Sequence, residues 1–213
     1  MDMAQMPLDE TLRGFNASTP REWLTTGSTA RRDLHGFIRY PAMMVPTMQA
    51  DILDAIIRDV GKDIHVVDPF VGSGTVMTEA MRRGLPFTGV DINPLAVLTC
   101  EAKAAVDAGV ALDTAVVDVM EAVKRDWSEE IDVAFHKMEK WFTPEQTILF
   151  SRYRRAIMGI SSHSKRQCLW VAFAETIRSC SNSRTSTYKL HKRPETDVVC
   201  PENVQETFEA NLH

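Results

Sequence analysis

Two acids and a pair of glycines hold the chemistry of this chain. The run Ile64-His65-Val66-Val67-Asp68 is apolar, largely β-branched and ends in an acid. It continues through Pro69-Phe70-Val71-Gly72-Ser73-Gly74-Thr75 into Val76–Arg83, which reads as a helix. The order is strand, glycine loop, helix N-terminus. Gly72 and Gly74 lack a Cβ, so the backbone there can take a positive φ and come close to a ligand, while the first helical turn offers unpaired N–H groups. A pyrophosphate is not the expected ligand. Met77 stands where a dinucleotide fingerprint needs its third glycine, no Gly-Lys-Ser/Thr follows, and the Asp68 carboxylate would repel a phosphate while welcoming a cationic amine.

A second acid completes the pattern. Phe87-Thr88-Gly89-Val90-Asp91 reads as the next strand, and Asp91 lies 17 residues after Gly74, close to the ~20-residue offset of a ribose-binding carboxylate in a βαβ unit. S-adenosylmethionine carries the three groups this arrangement asks for. It has an ammonium for Asp68, a carboxylate for the helix N-terminus and ribose hydroxyls for Asp91. Asp68-Pro69-Phe70-Val71-Gly72-Ser73-Gly74-Thr75, with Gly89-Val90-Asp91-Ile92-Asn93-Pro94, resembles motifs I and II of the DNA amino-methyltransferases, which methylate adenine N6 or cytosine N4. The resemblance implies a cofactor site built from Asp68, Phe70, Gly72, Ser73, Gly74, Thr75, Asp91 and Ile92. Tyr40-Pro41-Ala42, ahead of the loop, is similar to motif X, which folds over the methionine end of the cofactor, so Tyr40 joins the set.

The elements that position these residues follow from spacing. Pro46 suits the first position of a helix, and Met48, Ile52, Leu53, Ile56, Ile57 and Val60 repeat at helical intervals up to Gly61. Asn93 is an N-cap with Pro94 behind it, opening a helix to about Ala108 that Gly109 ends. Residues 112 to 126 read as a helix with Val116, Val119, Met120 and Val123 on one face, which argues against Asp118 as a strand-end acid. Thr143-Pro144-Glu145-Gln146 forms a capping box for a helix over 145 to 160, with Trp141-Phe142 packing as a staple. A Ser/His/Lys loop then precedes a buried helix from Leu169 to Arg178, and Val204, Phe208 and Leu212 suggest a short final helix.

The fold class expected is α/β: a partial Rossmann-like methyltransferase fold, parallel strands with flanking helices, plus a helical basic insert. Its parts are a flexible lead-in (1–34), the cofactor-binding part (35–110), the basic insert (111–193) and an acidic tail helix (194–213). From Ser151 to Arg193 ten basic residues meet one acid, Glu175, in a chain whose net charge is −5. That concentration suits a phosphate backbone, so DNA is the expected partner. Ser181-Asn182-Ser183-Arg184 resembles an element of one methyltransferase subgroup that lies upstream of the catalytic half. Arg178, Arg184 and Lys189 are the expected phosphate contacts, which position a duplex without reading its sequence.

An exocyclic-amine methyltransferase also needs an Asp/Asn/Ser-Pro-Pro-Tyr/Phe motif to hold the flipped base. None of the ten prolines stands beside another. A truncated or split enzyme is therefore expected, with a second chain carrying the catalytic half, and no catalytic residue is assigned. The alternatives are a fragment of an RNA guanine-N2 methyltransferase, or a non-catalytic subunit that binds S-adenosylmethionine or DNA. No run approaches the ~18 apolar residues of a membrane helix, and the start has no secretory pattern, so a cytoplasmic location is expected. The four cysteines form no C-x-x-C pair, the six histidines show no metal spacing, and His65 reads as a strand histidine.

Overall fold

A computed structural model describes residues 7–19, 23, 33–41, 43–184, 191–193 and 203–212. The chain divides into two compact units, Met1–Lys103 and Ala104–His213.

The first unit contains α1 (Leu8–Ala17), α2 (Pro46–Val60), β1 (Val66–Asp68), α3 (Thr75–Arg82), β2 (Phe87–Gly89) and most of α4 (Pro94–Asp107). The strands pair in parallel with Val66 opposite Phe87 and Asp68 opposite Gly89, forming a two-stranded sheet among the described residues. Both strands are shorter than their sequence runs. The ladder nevertheless continues toward the site, because the Val90 N–H donates to Asp68 O at 2.9 Å and the Val71 N–H to Val90 O at 3.0 Å. His65, expected within the strand, stands exposed just before β1 and bonds Thr88 Oγ1 at 2.9 Å. Gly89 is required by packing, since a Cβ there would lie 2.8 Å from both the Phe87 ring and Val71 Cγ2. Val71, Met77 and Cys100 form the small core beneath the loop, with Met81 and Phe87 against it.

Helix α2 has Pro46 at its start and ends at Gly61, where φ is 82°. It packs against α3 through an ionic cluster. Arg83 spans Asp54 of α2 with two bonds of 2.7 and 2.8 Å, and reaches Glu79 Oε2 at 2.7 Å. On the other side His35 Nε2 meets Glu79 Oε1 at 2.7 Å. Burial alone would raise the Glu79 pKa, but the hydrogen bonds from His35 and Arg83 outweigh it and bring the value down to about 2. Removing the buried Glu79 from this network costs roughly 3–5 kcal/mol, whereas the half-exposed Asp54 link to α2 contributes less.

Helix α1 corrects the reading of an aperiodic lead-in. Leu8, Thr11 and Phe15 recur at i, i+3 and i+7, and the buried member of this stripe is a threonine, whose hydroxyl bonds Pro7 O at 3.2 Å. A polar residue at the centre of the stripe, with Gly14 beside it, hid the period. Much of the rest of 1–34 lies outside the described residues.

The second unit contains α5 (Asp113–Arg125), α6 (Pro144–Met158), α7 (His163–Cys180) and α8 (Asn203–Ala210). Thr143 and Gln146 exchange the two capping-box bonds at 3.0 and 3.2 Å. Tyr153, Phe173 and Phe208 form the centre, their rings 4.9 to 6.0 Å apart, joined by Phe150, and Phe142 packs edge-on to Phe150 at 5.4 Å. Phe142 is thus part of the core side, as the staple reading expects. Helix α7 begins six residues earlier than its apolar run, because Ser162 caps it by accepting the Lys165 N–H at 3.5 Å. The Ser/His/Lys stretch is a helix start rather than a loop.

Candidate functional site

The first unit gathers the candidate residues at the carboxyl ends of its strands. Asp68 ends β1; its Oδ1 accepts the Phe70 N–H at 3.0 Å, whereas its Oδ2 is buried with no hydrogen-bond partner. The loop then bends through Gly72 (φ 51°) and Gly74 (φ 75°), both left-handed, and the Gly74 N–H closes the turn on Val71 O at 2.8 Å. Gly74 is also the N-cap of α3 and brings no side chain to it, so no side-chain bond caps that N-terminus. Ser73 and Thr75 are buried. An anion-accepting helix end and an unsatisfied carboxylate oxygen therefore share one loop.

Asp91 takes a different part from the one its position suggests. Its Oδ2 accepts the Gly72 N–H and its Oδ1 the Asn93 N–H, each at 2.8 Å. The Asn93 and Gly72 bonds hold its pKa below the usual carboxylate range. The carboxylate thus ties the glycine loop to the start of α4, and each oxygen keeps a lone pair for a ligand hydroxyl. Asn93, which the motif reading used only as a cap, does two jobs. Its Oδ1 accepts the Leu95 N–H at 3.1 Å, and its Nδ2 donates to Tyr40 Oη at 2.9 Å.

Tyr40 is thereby brought to the loop, its ring 3.7 Å from where a Cβ on Gly72 would stand. Phe70 and Ile92, one residue or two beyond the strand-end acids, are 83% and 100% exposed. Two apolar side chains left in water beside the loop could lie against a flat heterocycle. Tyr40, Asp68, Gly72, Ser73, Gly74, Thr75 and Asp91 are thus assembled, with Phe70 and Ile92 at the rim. Cys100 and Lys103 of α4 stand behind the loop and were not among the expected site residues. In sequence they are two more positions of a helix.

The basic segment of the second unit is arranged otherwise. Arg154 reaches Asp132 at 2.8 Å, and Arg155 pairs with Asp126 at 2.7 Å and with Asp132 as well. Arg178 forks onto Glu175, one of the bonds at 2.9 Å. Arg193 donates to Ser183 O at 2.9 Å. Acids at 126 and 132, outside the basic stretch in sequence, meet two of its ten basic residues, Arg154 and Arg155. Ser181, Asn182 and Ser183 are buried, held by the Asn182 N–H on Trp141 O and by a bridge from Ser183 to Lys192. Arg184 is exposed; Lys189 lies outside the described residues.

Among the described residues no group of three His, Cys, Asp or Glu side chains is placed to hold a metal ion. No helix there is long and apolar enough to cross a membrane.

A parallel β-α-β unit with a glycine loop, an acid at or just beyond each strand end and a helix N-terminus without a side-chain cap is an arrangement in which open α/β sheets present a ligand site. Comparison with known proteins adds a methyltransferase. The chain is similar to the Type II methyltransferase M.MvaI of Kocuria varians, 28% identical over an alignment of 189 positions that covers 82% of this chain and 40% of the relative. The chain thus spans about two fifths of that relative's length. No family model and no solved structure matches it.

Proposed function

We propose that this chain is the S-adenosylmethionine-binding part of a site-specific DNA amino-methyltransferase, of adenine-N6 or cytosine-N4 type, within a Rossmann-like fold. The observation that carries the reading is Asp68 Oδ2, a buried carboxylate oxygen without a partner, beside the uncapped N-terminus of α3. An unpaired buried charge is costly, and an α-ammonium would satisfy it while the α-carboxylate meets the loop N–H groups. Asp91 would take the ribose with its remaining lone pairs, Phe70 and Ile92 would cover the adenine, and Tyr40 would close over the methionine end. The likeness to a Type II methyltransferase supports this choice over other nucleoside ligands.

When bound, the cofactor supplies a sulfonium methyl group that an amine nitrogen takes directly, with no covalent enzyme intermediate. This chain's residues bind and orient the donor. The base-holding Pro-Pro motif is absent from the sequence, so the target amine is held by residues that another segment or chain contributes. DNA would be contacted through Arg184 and Lys189, with Arg178 near them in sequence, in a cytoplasmic restriction-modification setting. The same missing motif favours a second reading, a catalytically silent subunit that keeps the cofactor or the DNA site.

Calorimetric titration of the purified chain with S-adenosylmethionine tests the cofactor assignment. The expected result is micromolar binding that Asp68→Asn weakens by about 1.5–3 kcal/mol, the usual loss for a charged hydrogen bond. Absence of binding to a folded wild type would overturn the assignment.

A further inference from the structure

The Lys103 side chain is 0% exposed, and its Nζ donates to Ser73 O at 2.6 Å from the far side of the glycine loop. Three residues earlier on the same face of α4, the Cys100 thiol lies 3.8 Å from Gly72 O. A trans peptide points its C=O and its N–H in opposite directions. With Ser73 O drawn toward Lys103, the Gly74 N–H must face away from α4, and there it meets Val71 O at 2.8 Å. By the same rule, Gly72 O facing Cys100 turns the Ser73 N–H away from α4.

Resting on the cofactor reading above, we infer that Lys103 is the positioning residue of the loop: its buried ammonium holds the Ser73 carbonyl inward, keeps the Gly74 N–H in its turn with Val71 O and adds a positive charge beneath the loop, so that a ligand carboxylate is held well only while Lys103 is protonated. The titratable and charged groups facing it are Arg82 of α3, which disfavours its charge, and the Cys100 thiol of its own helix, which the carboxylates of Asp68, Asp91 and Glu101 also reach. Burial pushes the Lys103 pKa down to about 8 and the Cys100 thiol up to about 11, so the lysine loses its proton first as pH rises. An anion bound at the loop favours the charged lysine, so affinity falls as pH rises through that value.

The test is titration with S-adenosylmethionine at pH 7 and pH 9 of the wild type, Lys103→Met and Lys103→Arg, each checked for folding by circular dichroism. The ligand's own amino group titrates equally in all three and cancels in the comparison. Lys103→Met is expected to be folded, with a thermal midpoint at or above wild type because a buried charge is gone, yet to bind about tenfold more weakly at pH 7. Its affinity should fall less than the wild type's between the two pH values. Lys103→Arg, charged at both, should show the same reduced pH dependence while keeping more affinity at pH 9; it carries the test if Lys103→Met does not fold. Variants that bind as the wild type does, with the same pH slope, overturn the inference and leave the cofactor site standing. A folded wild type that does not bind overturns both.

Discussion

At the glycine loop a carboxylate oxygen and a helix N-terminus are left without partners, whereas in the basic segment three arginines meet carboxylates, although Arg155 Nη2 and Asn182 Oδ1 are also buried and unbonded there. Asp68 Oδ2 is buried and unbonded, α3 has no side-chain cap, and Phe70 and Ile92 stand in water. Arg154, Arg155 and Arg178, by contrast, each meet a carboxylate of their own unit. Unsatisfied groups carry a cost within the fold that a ligand can relieve, so they point outward to function. Matched charges point inward to structure. A count of arginines along the sequence cannot separate these two cases.

The comparison breaks most readily at the loop. Gly74→Ala places a Cβ at φ 75° and 2.9 Å from Cys100 Sγ. The expected loss is about 1–3 kcal/mol of stability in urea unfolding, with cofactor binding abolished in the same preparation. A smaller effect is expected in the second unit. Arg155→Ala leaves Asp126 and Asp132 short of a partner and should lower stability by about 1–2 kcal/mol, while the salt dependence of DNA binding stays as in the wild type. Arg184→Ala should do the reverse. This exposed residue should change stability by less than about 0.5 kcal/mol, while the slope of log affinity against log salt falls by about 0.9. If Arg155→Ala moved the DNA slope and Arg184→Ala did not, the division between matched and available charge would fail.

Local chemistry made much of this molecule legible in advance. The Asp68–Thr75 loop, Pro46 at the start of α2, Asn93-Pro94 ahead of α4 and the Thr143/Gln146 box each announce themselves within four to eight residues, because caps and turns are satisfied locally. Helix α1 was hidden because its buried stripe passes through Thr11, and the first six residues of α7 because their polarity reads as loop until Ser162 is seen to cap them. In the site, Asp68 and the two glycines were legible from type and spacing. Asp91 lies just beyond the second strand, as its spacing predicts, but its backbone bonds to Gly72 and Asn93 were not legible. Lys103 could not be foreseen. A lysine in a helical pattern is assigned to water by default, and only the fold shows its ammonium enclosed against a carbonyl.

The two strands are three residues long, and they pair only with each other among the described residues. Among the described residues no further strand pairs with either outer edge, and near them Val67 and Val90 are 62% and 57% exposed. Open edges flanked by apolar side chains are templates for adding a strand from another molecule. For a solution of this chain the consequence is colloidal. Light scattering should climb with concentration, and a nucleoside ligand lying over Phe70 and Ile92 should lower it by a small, measurable amount.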